Sequence, residues 1–204
     1  MKNMKLVSLL ATATAAALLT ASCSSSHSPT AASNQGVVKM TMKASGSVPA
    51  ATTASATAGD GVTPADASRG PQAATIVLSG ASAQLADGSF VPVTATFPYT
   101  VDLLALAQSG GSVSLPDGLL PEGSYTGLQI TITQASITLH DGTVITITPP
   151  GAGWVVLIPV TFDVVAGQAT QLTLTLRCDH SFHFLNGHFE FDPDIECEGG
   201  DHHH

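Results

Sequence analysis

Charge is scarce in this chain. Of 204 residues only 10% are Asp, Glu, Lys or Arg, and Lys plus Arg number six against fifteen acidic residues. So few cations cannot make the basic footprint that a phosphate backbone requires, which argues against nucleic acid as a partner. Aromatic residues are also few, with one Trp and two Tyr. No stretch keeps a convincing helical spacing of apolar residues over three turns, so a helical bundle is excluded. The marks of familiar enzymes are missing too. There is no GxSxG elbow, and His27 and His140 have no evident Ser and Asp partners. Gly110-Gly111 lacks the Lys of a phosphate loop, and neither Asp60-Gly61 nor Asp117-Gly118 continues with the ligands of a calcium loop. Asp102 has no second carboxylate paired to it by sequence. These absences point away from a reaction centre.

What is present begins at the N-terminus. Lys2 and Lys5 precede an uncharged run from Leu6 to Ser22, and small residues then lead to Cys23. This is the layout of an export signal. The segment Leu19-Thr20-Ala21-Ser22-Cys23 resembles the lipobox of bacterial lipoproteins, with Thr20 where Leu is usual. The resemblance implies cleavage after Ser22 and acylation of Cys23. Ser24 follows where Asp would retain many such proteins at the inner membrane, so it also implies the outer membrane, on its periplasmic or exposed side. Two other readings of the run are an uncleaved anchor and plain secretion with Cys23 in the discarded peptide. A polar, Ser-rich tail after a lone Cys favours the tether. Each buried methylene of an acyl chain contributes about 0.8 kcal/mol, and stable anchoring needs more than one chain. The expected partner at this end is thus the membrane, through N-terminal acyl chains. Without Lys2 and Lys5, the six basic residues reduce to Lys39, Lys43, Arg69 and Arg177, and the mature chain is acidic.

Residues 23–35 have nothing to bury and form a flexible tether behind a signal peptide of residues 1–22. A domain over 36–198 follows, then a His-rich tail over 199–204. Val38, Met40 and Met42 alternate with polar residues and predict a strand over 36–44. Residues 45–72 are mostly Ala, Thr, Ser, Gly and Pro, a long low-complexity loop. Beyond it the chain repeats: 74–94 matches 128–148 at an offset of 54, as from Ile76 to Ile130. The match includes Ala81-Ser82 with Ala135-Ser136 and Asp87-Gly88 with Asp141-Gly142. Each copy reads as strand, Asp-Gly turn and strand, with the positive φ angles of a type I′ turn expected at Asp-Gly. Duplication and the economy of β patterns both explain such a pair, the second slightly better. Many short strands with Gly and Pro punctuation predict an all-β fold, an antiparallel β-sandwich or barrel.

The segments VDLLAL, LPEGSYTGLQITI, SITLHDGTVITI and FDVVAGQATQLTLTL resemble a family of bacterial and archaeal lipoprotein domains of unknown function, family 4382. Its members share a DLL motif, an LPxGxY turn and a final GxxTxLTL strand. The resemblance covers roughly 36–195 and implies an exported immunoglobulin-like or transthyretin-like sandwich with no established activity. The Ala/Thr-rich loop and the last, Cys-flanked hairpin depart from that pattern.

That last segment, CDHSFHFLNGHFEFDPDIEC, spans 178–197. With Asn186-Gly187 at the tip, Leu185 pairs with His188, Phe184 with Phe189, His183 with Glu190 and Phe182 with Phe191. One face then carries the four Phe rings. The other carries Asp179, Ser181, His183, His188, Glu190, Asp192, Asp194 and Glu196, while His180 falls on the apolar side as a packed or capping residue. Once Cys23 is acylated, Cys178 and Cys197 remain as an even pair in an oxidising compartment, which predicts a disulfide stapling the hairpin. Closing a loop of this length would contribute roughly 3 kcal/mol. The sharper alternative is a zinc or copper site on His183, His188, Glu190 and Asp192, since imidazole and carboxylate suit both metals. Against it, a flat sheet face points its side chains in parallel. Trp154 reads first as a core or strand-end residue and second as a platform for a sugar ring.

The expectation is a non-enzymatic cell-envelope lipoprotein, a structural or binding module whose partner is an envelope protein or a glycan. The alternatives are a zinc- or copper-binding envelope protein using the last hairpin, and a carbohydrate-binding or adhesin-like surface module.

Overall fold

A computed structural model describes residues 34–50 and 70–199. The expected signal peptide, Cys23, nearly all of the tether, most of the low-complexity loop and the last five residues lie outside the described residues. The described chain forms thirteen strands and two short helices. It is an all-β sandwich of two facing sheets with an appended two-stranded hairpin.

The larger sheet is organised by two long strands, β2 (Pro71–Leu85) and β7 (Gly123–Leu139), paired antiparallel from Pro71↔Leu139 to Leu85↔Tyr125. Alternation fixes which face is buried, and in both strands it changes phase midway. β2 buries Ala74, Ile76 and Leu78, then Ala81 and Ala83; β7 buries Leu128, Ile130 and Ile132, then Ala135, Ile137 and Leu139. Register shifts around Leu78 and Ile132 supply the extra residue that switches the phase. The sequence repeat thus has a structural counterpart. Ile76 lies opposite Ala135 and Ala81 opposite Ile130, so residues related by the offset exchange partners about a local twofold axis. Each copy then turns and returns as a short strand, β3 (Phe90–Pro92) on β2 and β8 (Val144–Ile147) on β7.

The two turns match each other but are not type I′. Only Gly88 and Gly142 have positive φ, 84° in both cases. Leu85 N–H donates to the Ser89 carbonyl (2.8 Å) and Gly88 N–H to the Leu85 carbonyl (3.0 Å); Leu139, Gly142 and Thr143 repeat the arrangement. This is a three-residue turn closed by a glycine bulge. The cause is the Asp side chain. Asp87 accepts from the Ser89 N–H (2.9 Å) and hydroxyl (2.6 Å), and Asp141 does the same with Thr143. That bonding holds the Asp backbone at negative φ and keeps both carboxyls below their ordinary range.

β4 (Tyr99–Asp102) also pairs with β2, and β9 (Trp154–Val164) with β7. The smaller sheet runs β13 (Ile195–Gly199), β10 (Ala169–Arg177), β1 (Gln35–Ser45), then β5 (Ser112–Ser114) and β6 (Gly118–Pro121). Among the described residues every strand pairing is antiparallel except β1 with β10, which runs parallel from Val37↔Ala169 to Ser45↔Arg177. This agrees with the mostly antiparallel sandwich expected; the parallel pair is possible because most of the domain connects the two strands, and such a pair requires a long crossover. β1 begins at Gln35, one residue before the predicted strand, and β2 begins at Pro71, inside the predicted loop. Thr94 and Leu119 exchange backbone hydrogen bonds (3.1 and 2.9 Å) and so tie the end of β3 to β6 across the sandwich.

The motifs singled out in the sequence have structural tasks. Asp102 caps α1 (Leu103–Ser109), accepting from the Ala105 N–H at 3.1 Å, and Leu103 and Leu104 are buried against β1 and β2. In LPEGSY the buried Tyr125 donates its hydroxyl to the Pro121 carbonyl (2.9 Å) and stacks on Phe162 at 5.3 Å. A Tyr hydroxyl bonded to the backbone four residues upstream has the local geometry of a tyrosine corner. At the last motif, Gly167 N–H donates to the Gln35 carbonyl (2.9 Å) and the Thr170 hydroxyl to the Asp163 carbonyl (2.7 Å), while Leu172 and Leu174 enter the core. Replacing Tyr125 by Phe keeps the ring and removes one buried hydrogen bond. It should lower unfolding free energy by about 1 kcal/mol, read as a lower denaturant midpoint at unchanged slope.

Candidate functional site: the last hairpin and its cleft

β11 (Phe182–Leu185) and β12 (His188–Phe191) pair in the register the sequence predicts, from Phe182↔Phe191 to Leu185↔His188. Asn186 and Gly187 have φ of 53° and 87°, a type I′ turn. Phe182, Phe189 and Phe191 are buried and Phe184 partly so. Trp154, at the start of β9, meets Phe191 edge-on at 5.0 Å, and Phe191 meets Phe182 at 4.7 Å. The single Trp is therefore half-buried and braces the hairpin against the large sheet.

The base of the hairpin differs from expectation. Cys178 to Ser181 form one helical turn, α2, so the chain leaves β10 before the hairpin begins. Leu176 lies opposite Ile195, and Cys197 lies opposite Leu174. Cys178 is thus four residues along the strand direction from the partner of Cys197, roughly 13 Å, whereas a disulfide needs Cα atoms within about 7 Å. Both are free thiols, Cys178 buried and Cys197 half-buried, and the expected bridge is not formed. Ser181, expected on the exposed face, is fully buried and does the stapling instead. Its carbonyl accepts from the Asp192 N–H (2.8 Å) and its hydroxyl from the Asp194 N–H (2.9 Å).

His180 is not packed against apolar residues. Its side chain is 48% exposed within a charged cluster, with Nε2 2.7 Å from an Arg177 guanidinium nitrogen and Nδ1 3.4 Å from Asp194. Arg177 also reaches Glu196 at 3.4 Å and Asp194 at 3.9 Å. Partly exposed pairs of this kind contribute little to stability.

The four metal candidates do not converge. His183 faces Glu190 across the hairpin, His188 faces Leu185 nearer the tip, and Asp192 follows the end of β12. Among the described residues no group of three or more His, Cys, Asp or Glu is placed to hold a metal ion. His188 instead borders a cleft of about 350 Å³ between β8 and the hairpin tip, lined by Thr143 to Thr146, Phe184, Gly187, His188 and Phe189. Sequence analysis missed this cleft. Its one visible signal was the uncharged, β-branched run over 143–148.

The fold and site define an all-β sandwich whose last hairpin shapes a shallow cleft beside a sheet edge. No family model and no curated protein matches the chain. Among solved structures it is similar to MbnP from Methylosinus trichosporium, with a TM-score of 0.31 and 14% identity. The alignment covers 71% of this chain and 75% of that one. Among the described residues no helix is long and apolar enough to cross a membrane.

Burial, reinforced by Asp179 and Glu198, pushes the Cys178 and Cys197 thiols up to about 11. The folded state therefore holds these protons more tightly than the unfolded chain, and their contribution is complete below pH 9.0 and lost as pH rises through about 11. Tyr125, also raised by burial, extends the loss above pH 10.0. Denaturant midpoints should fall across this window, and replacing both cysteines by Ala should flatten the early part of the fall. Native thiols should also react slowly with iodoacetamide near neutral pH and at an ordinary rate once the chain is unfolded.

Proposed function

We propose that this protein is a non-enzymatic lipoprotein of the cell envelope, acylated at Cys23 and held at the membrane surface as a structural or binding module. The observation that carries this reading is how the tether meets the fold. β1 begins at Gln35 and lies in the middle of the smaller sheet, with β10 on one side and β5 and β6 on the other. A pull on Gln35 runs along β1 and loads its parallel ladder with β10 in shear, so many hydrogen bonds resist together. Eleven residues lie between Cys23 and Gln35, and an extended chain of that length spans at most roughly 40 Å. The sandwich would thus stay close to the lipid headgroups.

The two alternatives have narrower support. A metal-binding role draws on the facing pair His183 and Glu190 and needs further ligands from elsewhere. A glycan-binding role draws on Trp154, one edge of which is engaged by Phe191.

Anchoring is tested by replacing Cys23 with Ser. Wild-type protein should sediment with membranes and incorporate labelled palmitate, and the variant should do neither. Wild-type protein that stays soluble and unlabelled in its own host would overturn the proposal.

A further inference from the structure

The local twofold relation between the two hairpins makes β3 and β8 equivalent, with Phe90 corresponding to Val144, Pro92 to Thr146 and Thr94 to Thr148. Their outer edges are treated differently. β3 carries Pro92, which has no N–H to offer, and its continuation at Thr94 is hydrogen-bonded to Leu119. At β8 the residue equivalent to Pro92 is Thr146, and among the described residues no strand pairs with its outer side.

The hydrogen-bonding phase shows which groups face outward. Leu139 and Thr143 are a bonded pair. In an antiparallel ladder bonded and non-bonded pairs alternate, so Ile145 and Ile147 bond to β7, whereas Val144 and Thr146 turn their N–H and C=O away from it. Both residues are exposed, Val144 at 60%.

Other edges of the described fold are blunted in the ways that discourage strand addition. β9 carries Pro159 and faces a bulge, β13 carries Glu196 and Glu198, β6 ends on Pro121, and β3 and β5 are three residues long. β4 is bridged to the opposite sheet by the Tyr99 hydroxyl on the Ser114 carbonyl (3.1 Å). Residues 143–148, Thr-Val-Ile-Thr-Ile-Thr, hold no charge and no proline. They are β-branched throughout, which suits a strand.

We propose that the outer edge of β8 is a docking edge for an extended apolar segment of a partner protein with basic flanking residues, added as a further strand beside the hairpin tip. Backbone groups of Val144 and Thr146 supply the pairing. The cleft floor at Phe184 and Phe189 receives alternate side chains. The hairpin stands beside the edge and would obstruct the broad edge of a second folded sheet more than a single flexible segment. Charge selects the flanks: no Lys or Arg lines the cleft, while Asp141 precedes it in the turn and Glu190 and Asp192 lie on the neighbouring strand and its exit.

This proposal deepens the reading of the domain as a binding module and does not depend on the acyl anchor. The test uses detergent-solubilised full-length protein and a fluorescein-labelled peptide that repeats residues 143–148 between terminal lysines. Fluorescence anisotropy should rise to saturation. Thr146→Pro places the β3 guard on β8 and removes an outward N–H without breaking a bond to β7; it should weaken binding about tenfold, the cost of one backbone hydrogen bond, at unchanged melting temperature. Val144→Lys leaves the backbone intact and should weaken binding by repelling the lysines, most strongly at low salt. If Thr146→Pro does not fold, Val144→Lys decides alone. Absence of saturation up to about 1 mM, or variants that bind like wild type, overturns the proposal. So does a dimer in sedimentation equilibrium that Thr146→Pro dissociates, which would give the edge to a second copy. A Cys23→Ser protein should bind the peptide equally well, so failure of the docking edge and failure of the anchor are separately visible.

Discussion

The ladder between β2 and β7 constrains where every other strand of the large sheet can lie. A fifteen-residue strand paired along one side over its whole length has only its other side to offer, and each long strand divides that side between two shorter partners: β3 and β4 on β2, β8 and β9 on β7. A slip of one residue would turn the buried set toward solvent. The paired phase changes near Leu78 and Ile132 make such a slip costlier, because both irregularities would have to move together. The position of the cleft follows from this ladder, since β8 can only lie at the C-terminal end of β7, where the hairpin tip meets it.

The hairpin depends in turn on aromatic contacts. A two-stranded ribbon alone is marginal in water. Here Phe191 is held between Trp154 and Phe182, and Phe184 lies 4.8 Å from Phe189. Ser181 ties the exit of the ribbon to its start through two hydrogen bonds. Glu190 and Asp192 remain outward because they alternate with the buried Phe189 and Phe191.

Much of this was legible in the sequence because two-residue periodicity reports the buried face directly. The register of 182–191 followed from Asn186-Gly187 alone, and the repeat at 74–94 and 128–148 marked the two hairpins now seen about a local axis. Features decided by hydrogen bonding outside the pattern were not legible. The Asp-Gly turns looked like type I′ because dipeptide identity does not say where the Asp carboxylate will bond. The bridge between Cys178 and Cys197 looked sound because a strand was extended through 178–181, where the chain instead makes a helical turn. The parallel pairing of β1 with β10 joins residues far apart in the chain, and local pattern is silent about such contacts. The cleft was missed for a similar reason, since its two walls come from segments some forty residues apart.

The central place of β1 bears on the order of events during synthesis. This strand leaves the ribosome early, but its parallel partner begins only at Ala169. Until then the smaller sheet lacks its parallel ladder, and the layer that covers the apolar face of the large sheet is incomplete. Contacts of such long range form slowly. A polypeptide wired in this way cannot complete its fold before β10 has been made, so its last quarter decides when the domain becomes whole.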